Sequence, residues 1–159
     1  MKIIICYNNP NRELAYLNEL KSLLLNNKDV DNVILVNGGD TKKVISSVFK
    51  LKPKIILTYP LTGKSLPYKF YILKLIFKFK LICLRTEGAI EKENRNNVLA
   101  HVGIANYPKN LVDLELFWGQ IQREILGQEL VAQKKISSID RCLVVGYPRI
   151  NLYTGKKKK

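Results

Sequence analysis

The feature that most limits what this chain can fold into is a repeated switch between two periodicities. Short runs of Val, Ile and Leu alternate with stretches whose apolar residues recur every three or four positions. The runs are apolar at successive positions, as strands buried on both faces are, and such strands belong to parallel sheets covered by helices. The pattern predicts strands at Lys2–Cys6, Val33–Val36, Ile55–Thr58, Leu81–Leu84, Val112–Phe117 and Arg141–Val145. In the fifth, Asp113 and Glu115 alternate with apolar neighbours. Leu14, Leu17, Leu20 and Leu24 mark a first helix. Val44, Ile45, Val48 and Phe49 mark a second, with Asp40 as its N-cap and Pro53 as its stop. Leu66–Phe79 predicts a third, with Pro67 tolerated in its first turn. Gly119 opens a fourth that carries Ile121, Ile125 and Leu126. Tyr59–Ser65 is expected to be a loop, Glu91–Asn97 a loop or a short helix, Val98–Ile104 a possible further strand, and Tyr107–Asn110 a turn. The expected architecture is one α/β domain over residues 1–150, a mostly parallel sheet with helices on both faces, followed by a basic tail over 151–159.

Hydrophobic residues make up 47% of the chain and charged residues 25%, enough apolar material for a real core and too much for wholesale disorder. The net charge is +14, and four of those charges are Lys156 to Lys159. The domain is basic without them, which favours an anionic partner: nucleic acid, a membrane surface or phosphorylated small molecules. Cys6, Cys83 and Cys142 form no CxxC pair and each lies in an apolar run, so they read as small core residues in a reducing compartment. A single His excludes a His-based metal cluster, and neither a metal nor a cofactor is expected. The apolar run Ile3–Cys6 is too short for a signal peptide, and the long apolar stretch Leu66–Leu84 is broken by Lys69, Lys74, Lys78 and Lys80. These features place the protein in the cytoplasm.

Several motifs carry possible chemistry. Gly63-Lys64-Ser65 ends like a phosphate-binding loop, but the Gly that motif needs upstream falls at Thr58. Gly38-Gly39-Asp40-Thr41 lies between a strand and a helix, lacks the GxGxxG spacing and reads as a plain turn. Lys69, Lys74, Lys78 and Lys80 mix with Phe70, Tyr71, Phe77 and Phe79 and with no acid; such a helix can lie on an anionic bilayer or can simply cover the sheet. Nucleic acid is less favoured, because there is no RNP-type sequence, Cys/His finger or helix-turn-helix pattern. His101, among apolar neighbours, reads as a core histidine. Arg85-Thr86-Glu87-Gly88 follows the fourth strand, where ligands gather in open α/β sheets. Glu87 there could take a proton from a bound hydroxyl. Arg85 could hold a phosphate or carboxylate, or could pair with Glu87 in a salt-bridged loop with Gly88 as its turn residue.

Three segments together carry a resemblance. They are Leu84-Arg85-Thr86-Glu87-Gly88, then Leu114 to Gln120 with Gln122, Ile125 and Leu126, then Val144-Val145-Gly146-Tyr147-Pro148-Arg149-Ile150-Asn151. In order and spacing they resemble the N-terminal half of bacterial surface-carbohydrate biosynthesis proteins, which are similar to CDP-glycerol glycerophosphotransferases and other GT-B-type glycosyltransferases. Asn151 stands where that pattern has Asp. The resemblance implies a single Rossmann-like domain on the acceptor side of a two-domain cleft, with Glu87 as general base and Arg85, Thr86 and Gly88 at the substrate. It implies that a nucleotide-activated sugar or polyol donor is held mainly by a second domain. The chain is therefore expected to be a truncated or split transferase that needs a second GT-B-type subunit and has little activity alone. The other reading is a non-catalytic α/β module that docks on a partner protein or an anionic membrane surface, peripheral on its inner face.

Overall fold

The computed structural model describes residues 1–61, 65–85 and 107–146. Its core is one sheet of six strands: β1 (Lys2–Tyr7), β2 (Asn32–Asn37), β3 (Ile55–Thr58), β4 (Lys80–Arg85), β5 (Leu114–Phe117) and β6 (Cys142–Val144). The spatial order is β2-β1-β3-β4-β5-β6 and every neighbouring pair is parallel. The chain is thus a single Rossmann-like α/β domain, as its alternating periodicities predict. Val98–Ile104 and Glu91–Asn97 lie outside the described residues.

The helices are α1 (Pro10–Leu25), α2 (Thr41–Leu51), α3 (Leu66–Phe77) and α4, which runs through the consecutive turns Gln120–Gln122, Arg123–Gly127 and Gln128–Ala132. They cover both faces. On one face Tyr16 and Leu17 of α1 pack with Ile3, Ile5, Val33 and Leu84. On the other, Val44 and Val48 of α2 and Phe70 and Leu73 of α3 pack with Ile4, Ile56, Leu81 and Cys83. Leu126 and Leu130 of α4 pack with Phe117 and Cys142. Alternate residues of β1 thus enter different cores, which is why Ile3, Ile4, Ile5 and Cys6 are all buried.

Capping residues set the helix limits. Asp40 accepts from Lys43 N–H at 3.1 Å and starts α2. Lys52 closes α2 in the left-handed region, at φ 49°, just before Pro53. Lys78 does the same for α3 at φ 54°, so that helix ends at Phe77 and not at Phe79, which turns inward as a fully buried core residue. The middle turn of α4 is π-helical. There Gly127 comes so close to Ile139 and Cys142 that an added Cβ would lie 3.0 Å from Ile139 Cδ1. Two strands are shorter than their apolar runs. Arg141 belongs to a 3-10 turn, Ile139–Arg141, and not to β6. Val112 and Asp113 precede β5, because Asp113 bridges to β4 with its side chain as well as its backbone. Its N–H donates to Leu81 O at 2.8 Å, and its carboxylate accepts from Leu81 N–H at 2.8 Å.

Asp113 also meets Lys74 Nζ of α3 at 2.6 Å and Lys80 Nζ at 3.4 Å. Burial opposes its ionisation, but the Lys74 ammonium and the Leu81 N–H outweigh that and hold the carboxyl below its ordinary range. A carboxyl depressed by folding contributes its full stability above its unfolded pKa, about 4, and loses it as pH falls through the folded value. Asp113→Asn should therefore flatten the loss of stability below about pH 4. Asp113→Ala should cost about 2 kcal/mol at neutral pH by removing charge-assisted bonds from α3 and β4. Urea denaturation across pH measures both, and an acid limb identical in wild type and Asp113→Asn would refute the assignment.

Candidate functional site at the carboxyl edge

Six parallel strands bring six carboxyl ends to one edge. Tyr7, Asn37, Thr58, Arg85, Phe117 and Val144 end there. Strand order reverses at β1: the chain leaves β1 into α1 on one face and leaves the neighbouring β3 into α3 on the other, so the crevice between β1 and β3 is the topological switch point where ligands bind in such sheets. Arg85 is the last residue of β4, one strand away from it. Thr86, Glu87 and Gly88 follow directly in sequence and lie outside the described residues, as do His101 and Gly63-Lys64.

Arg85 is buried, with 2% of its surface exposed, and its partner is Glu115 of β5. Strand register explains the pair: Arg85 lies opposite Phe117 and Cys83 opposite Glu115, so the two charges are diagonal neighbours on one face. Arg85 Nε donates to Glu115 Oε2 at 2.7 Å and Nη2 donates to Oε1 at 3.2 Å, a two-pronged fork. Burial works against the charged guanidinium, but the Glu115 carboxylate more than offsets it and keeps Arg85 protonated. The Tyr107 ring lies 6.0 Å from the guanidinium carbon, and the Tyr107 hydroxyl accepts from Leu61 N–H at 2.8 Å, which ties the chain after β3 to this cluster. Arg85 Nη1 is buried with no hydrogen-bond partner among the described residues.

The turns after β1 and β2 spend backbone N–H groups on the chain itself. At the start of α1, Pro10 has no N–H, Asn9 Oδ1 accepts from Arg12 N–H, and the buried Glu13 carboxylate accepts from Asn8 N–H at 2.7 Å and Asn9 N–H at 3.2 Å. An internal carboxylate thus occupies the position where a helix N-terminus would hold a phosphate. After β2, Gly38 N–H donates to Tyr7 O at 2.7 Å, Gly39 N–H to Asn37 Oδ1 at 2.9 Å and Asp40 N–H to Asn37 O at 3.1 Å. Gly38 packs so tightly on Asn8 that a Cβ would lie 2.9 Å from Asn8 Oδ1. Gly38-Gly39 is therefore a self-satisfied turn that joins the β1 and β2 loops.

The thiols are poor nucleophiles. Burial pushes Cys6 up to about 12, against a lowering hydrogen bond with Thr58, and pushes Cys142 up to about 11. Burial and then the Glu115 charge push Cys83 well above its ordinary value. Among the described residues no group of three or more His, Cys, Asp or Glu could hold a metal ion.

Sequence reasoning put Arg85 just after its strand, whereas it is the last residue of β4 and pairs with Glu115, and it missed both acids that organise the edge. Glu13 had a signal, an acid four residues after the capping Asn9. Glu115 had a weaker one, a lone acid between two Leu of a short strand. No protein-family model, curated protein or solved structure matches the chain.

The fork can be tested by breaking it and by replacing it. Glu115→Ala leaves a buried guanidinium without its counter-charge and should cost about 3–5 kcal/mol. Arg85→Met with Glu115→Leu removes both charges and should be neutral or more stable by about 1–4 kcal/mol. Chemical denaturation of the single and double variants measures this. A Glu115→Ala cost below about 1 kcal/mol would mean that the pair is solvated.

Proposed function

We propose that the chain is the acceptor-side domain of a glycosyl- or glycerophosphotransferase-like protein of surface polysaccharide biosynthesis. The observation that carries the acceptor-side reading is the closure of the β1–α1 and β2–α2 turns. A nucleotide diphosphate held at these two turns would need the backbone N–H groups that Glu13, Asn9, Asn37 and Tyr7 already take. A donor is then held by a second domain, on this or another polypeptide, and the carboxyl edge here faces an acceptor hydroxyl. Glu87 takes the hydroxyl proton as the oxygen bonds to the anomeric carbon of the sugar, or to the phosphorus of the polyol phosphate, and the nucleotide leaves with the electron pair of the bond that breaks. Arg85 contributes a single donor, Nη1, because its other two nitrogens are committed to Glu115. In this reading Thr86 and Gly88 also bind the acceptor. Nucleotide-activated donors are cytoplasmic metabolites, so this reading places the protein in the cytoplasm, with a peripheral position on the inner face of the membrane. No helix among the described residues is long and apolar enough to cross a membrane.

Isolated from a donor domain, the chain lacks the closed cleft that excludes water and orients both substrates. It should show no transferase activity alone and should bind CDP- or UDP-linked donors no tighter than about millimolar, near −4 kcal/mol. Calorimetric titration with a panel of such donors is the test. Where a partner domain restores turnover, Glu87→Gln should lower it by about 10²–10⁴-fold. Micromolar donor binding, or turnover by the chain alone, would show that this one domain is a complete enzyme and would overturn the reading.

A further inference from the structure

α3 is amphipathic in an unusual sense: both of its faces are apolar. Pro67, Phe70 and Leu73 are buried against the sheet. On the opposite side Tyr68, Ile72, Leu75 and Ile76, at i, i+4, i+7 and i+8, form one stripe, each between 56% and 61% exposed. Phe49 of α2, 54% exposed, extends the stripe sideways through an edge-on contact with Phe77 at 4.9 Å. Single exposed apolar side chains need no explanation, whereas a contiguous cluster marks a surface that meets something.

The surroundings of the stripe select the partner. No Asp or Glu occurs between Thr41 and Thr86, a stretch that holds Lys42, Lys43, Lys50, Lys52, Lys69 and Lys78 among its cations. Lys74 is committed to Asp113 at 2.6 Å. At the C-terminal end of α3 a groove of about 530 Å³ opens beside the stripe, with Leu75, Tyr71 and Phe79 on its apolar side and Lys78, Lys80 and Lys109 on its basic side. A row of aliphatic side chains beside exposed ammonium groups, of which only Lys80 also meets Asp113, matches one surface well: acyl chains below, phosphates at the rim. A polyanion such as nucleic acid would leave Ile72, Leu75 and Ile76 in water.

We infer that the outer face of α3, with Phe49, is a docking surface for an anionic phospholipid bilayer. α3 lies flat on it, Ile72, Leu75 and Ile76 enter the interface, and Lys50, Lys69 and Lys78 reach the headgroup phosphates. The groove that contains Lys78 and Lys109 receives one headgroup. This inference does not rest on the transferase reading, because the stripe and the groove lie away from the carboxyl edge, and the variants below leave Glu13, Arg85 and Glu115 intact.

The test uses the full chain and flotation with two kinds of vesicle, phosphatidylcholine alone and phosphatidylcholine mixed with phosphatidylglycerol. The wild type should bind the mixed vesicles at least about tenfold more tightly, and less so as salt is raised. Ile72→Ser with Leu75→Ser and Ile76→Ser keeps every charge, including Lys156 to Lys159, and replaces only exposed residues. It should lose at least about tenfold in vesicle affinity with an unchanged thermal unfolding curve. Lys78→Glu with Lys109→Glu should abolish the preference for anionic vesicles, and millimolar free glycerol phosphate should not compete. Full binding by the triple Ser variant would reduce the effect to the lysine tail and overturn the inference. So would equal binding to both vesicles, displacement by glycerol phosphate, or a wild-type dimer that the Ser variant dissociates without any vesicle binding, which would make the stripe a contact between two copies.

Discussion

A guanidinium and a carboxylate, almost without water around them, join the fourth strand to the fifth, and much of the surrounding core exists in a form that tolerates them. Arg85 and Glu115 are 2% and 0% exposed. Removing two such ions from water costs several kcal/mol each, and their attraction repays this only with good geometry and further hydrogen bonds. The fork supplies the geometry, with contacts of 2.7 and 3.2 Å. The Cys83 thiol and the Tyr107 ring enclose it, and Tyr107 in turn holds the backbone after β3 through Leu61 N–H. Three strands are thus tied to one buried charge pair. An apolar pair of similar volume would hold them as well or better, so stability alone does not account for the arrangement. A strand-end guanidinium held by a fork, with one nitrogen that has no partner among the described residues, is the kind of positioned donor that a site requires.

The same tension appears at the amino edge in milder form. Asp113 replaces a strand residue with a carboxylate that reaches Leu81 N–H, Lys74 and Lys80. It anchors α3 to the sheet on one side, so the opposite side of α3 is free to present apolar residues outward. The commitment of Lys74 to Asp113 also separates the cations of this helix into a structural one and the exposed Lys69 and Lys78. Composition alone treats all of them as one basic patch.

The fold was legible because each element depends on a local pattern. Four-residue apolar runs made the strands, and the cap Asp40 with Pro53 set the limits of α2. The misread ends have a common cause: a side chain or backbone state that local pattern does not encode. Lys78 ends α3 by entering the left-handed region, which nothing about a lysine announces. Asp113 leaves the strand because its carboxylate finds Leu81 across the sheet. The Arg85–Glu115 pair was illegible for a deeper reason. Its partners are 30 residues apart, and only the register of β4 against β5 puts them on the same face. A one-residue slip would have turned Glu115 to the other side.

Two modes of anion recognition follow from this division, and they differ in physical kind. Backbone N–H groups and a forked guanidinium are fixed donors that can select the shape of a ligand. Lysine ammonium groups on long stems are mobile point charges that respond to the density of negative charge. At the carboxyl edge the backbone donors after β1 and β2 are consumed internally, by Glu13 above all. Arg85 Nη1 is a fixed donor there without a partner among the described residues, and the proposal above assigns it to an anion. On the flank, Lys50, Lys69 and Lys78 surround an apolar stripe and lack fixed geometry, which suits a fluid, uniformly anionic surface and no single small ligand. Among the described residues, backbone donors consumed after β1 and β2 and mobile cations on the flank suit a charged surface, as inferred above, better than a nucleotide at those two turns. In the transferase reading proposed above, chemistry depends on what is brought to that edge, and Glu87, two residues beyond Arg85 in sequence, is the carboxylate proposed to act on it.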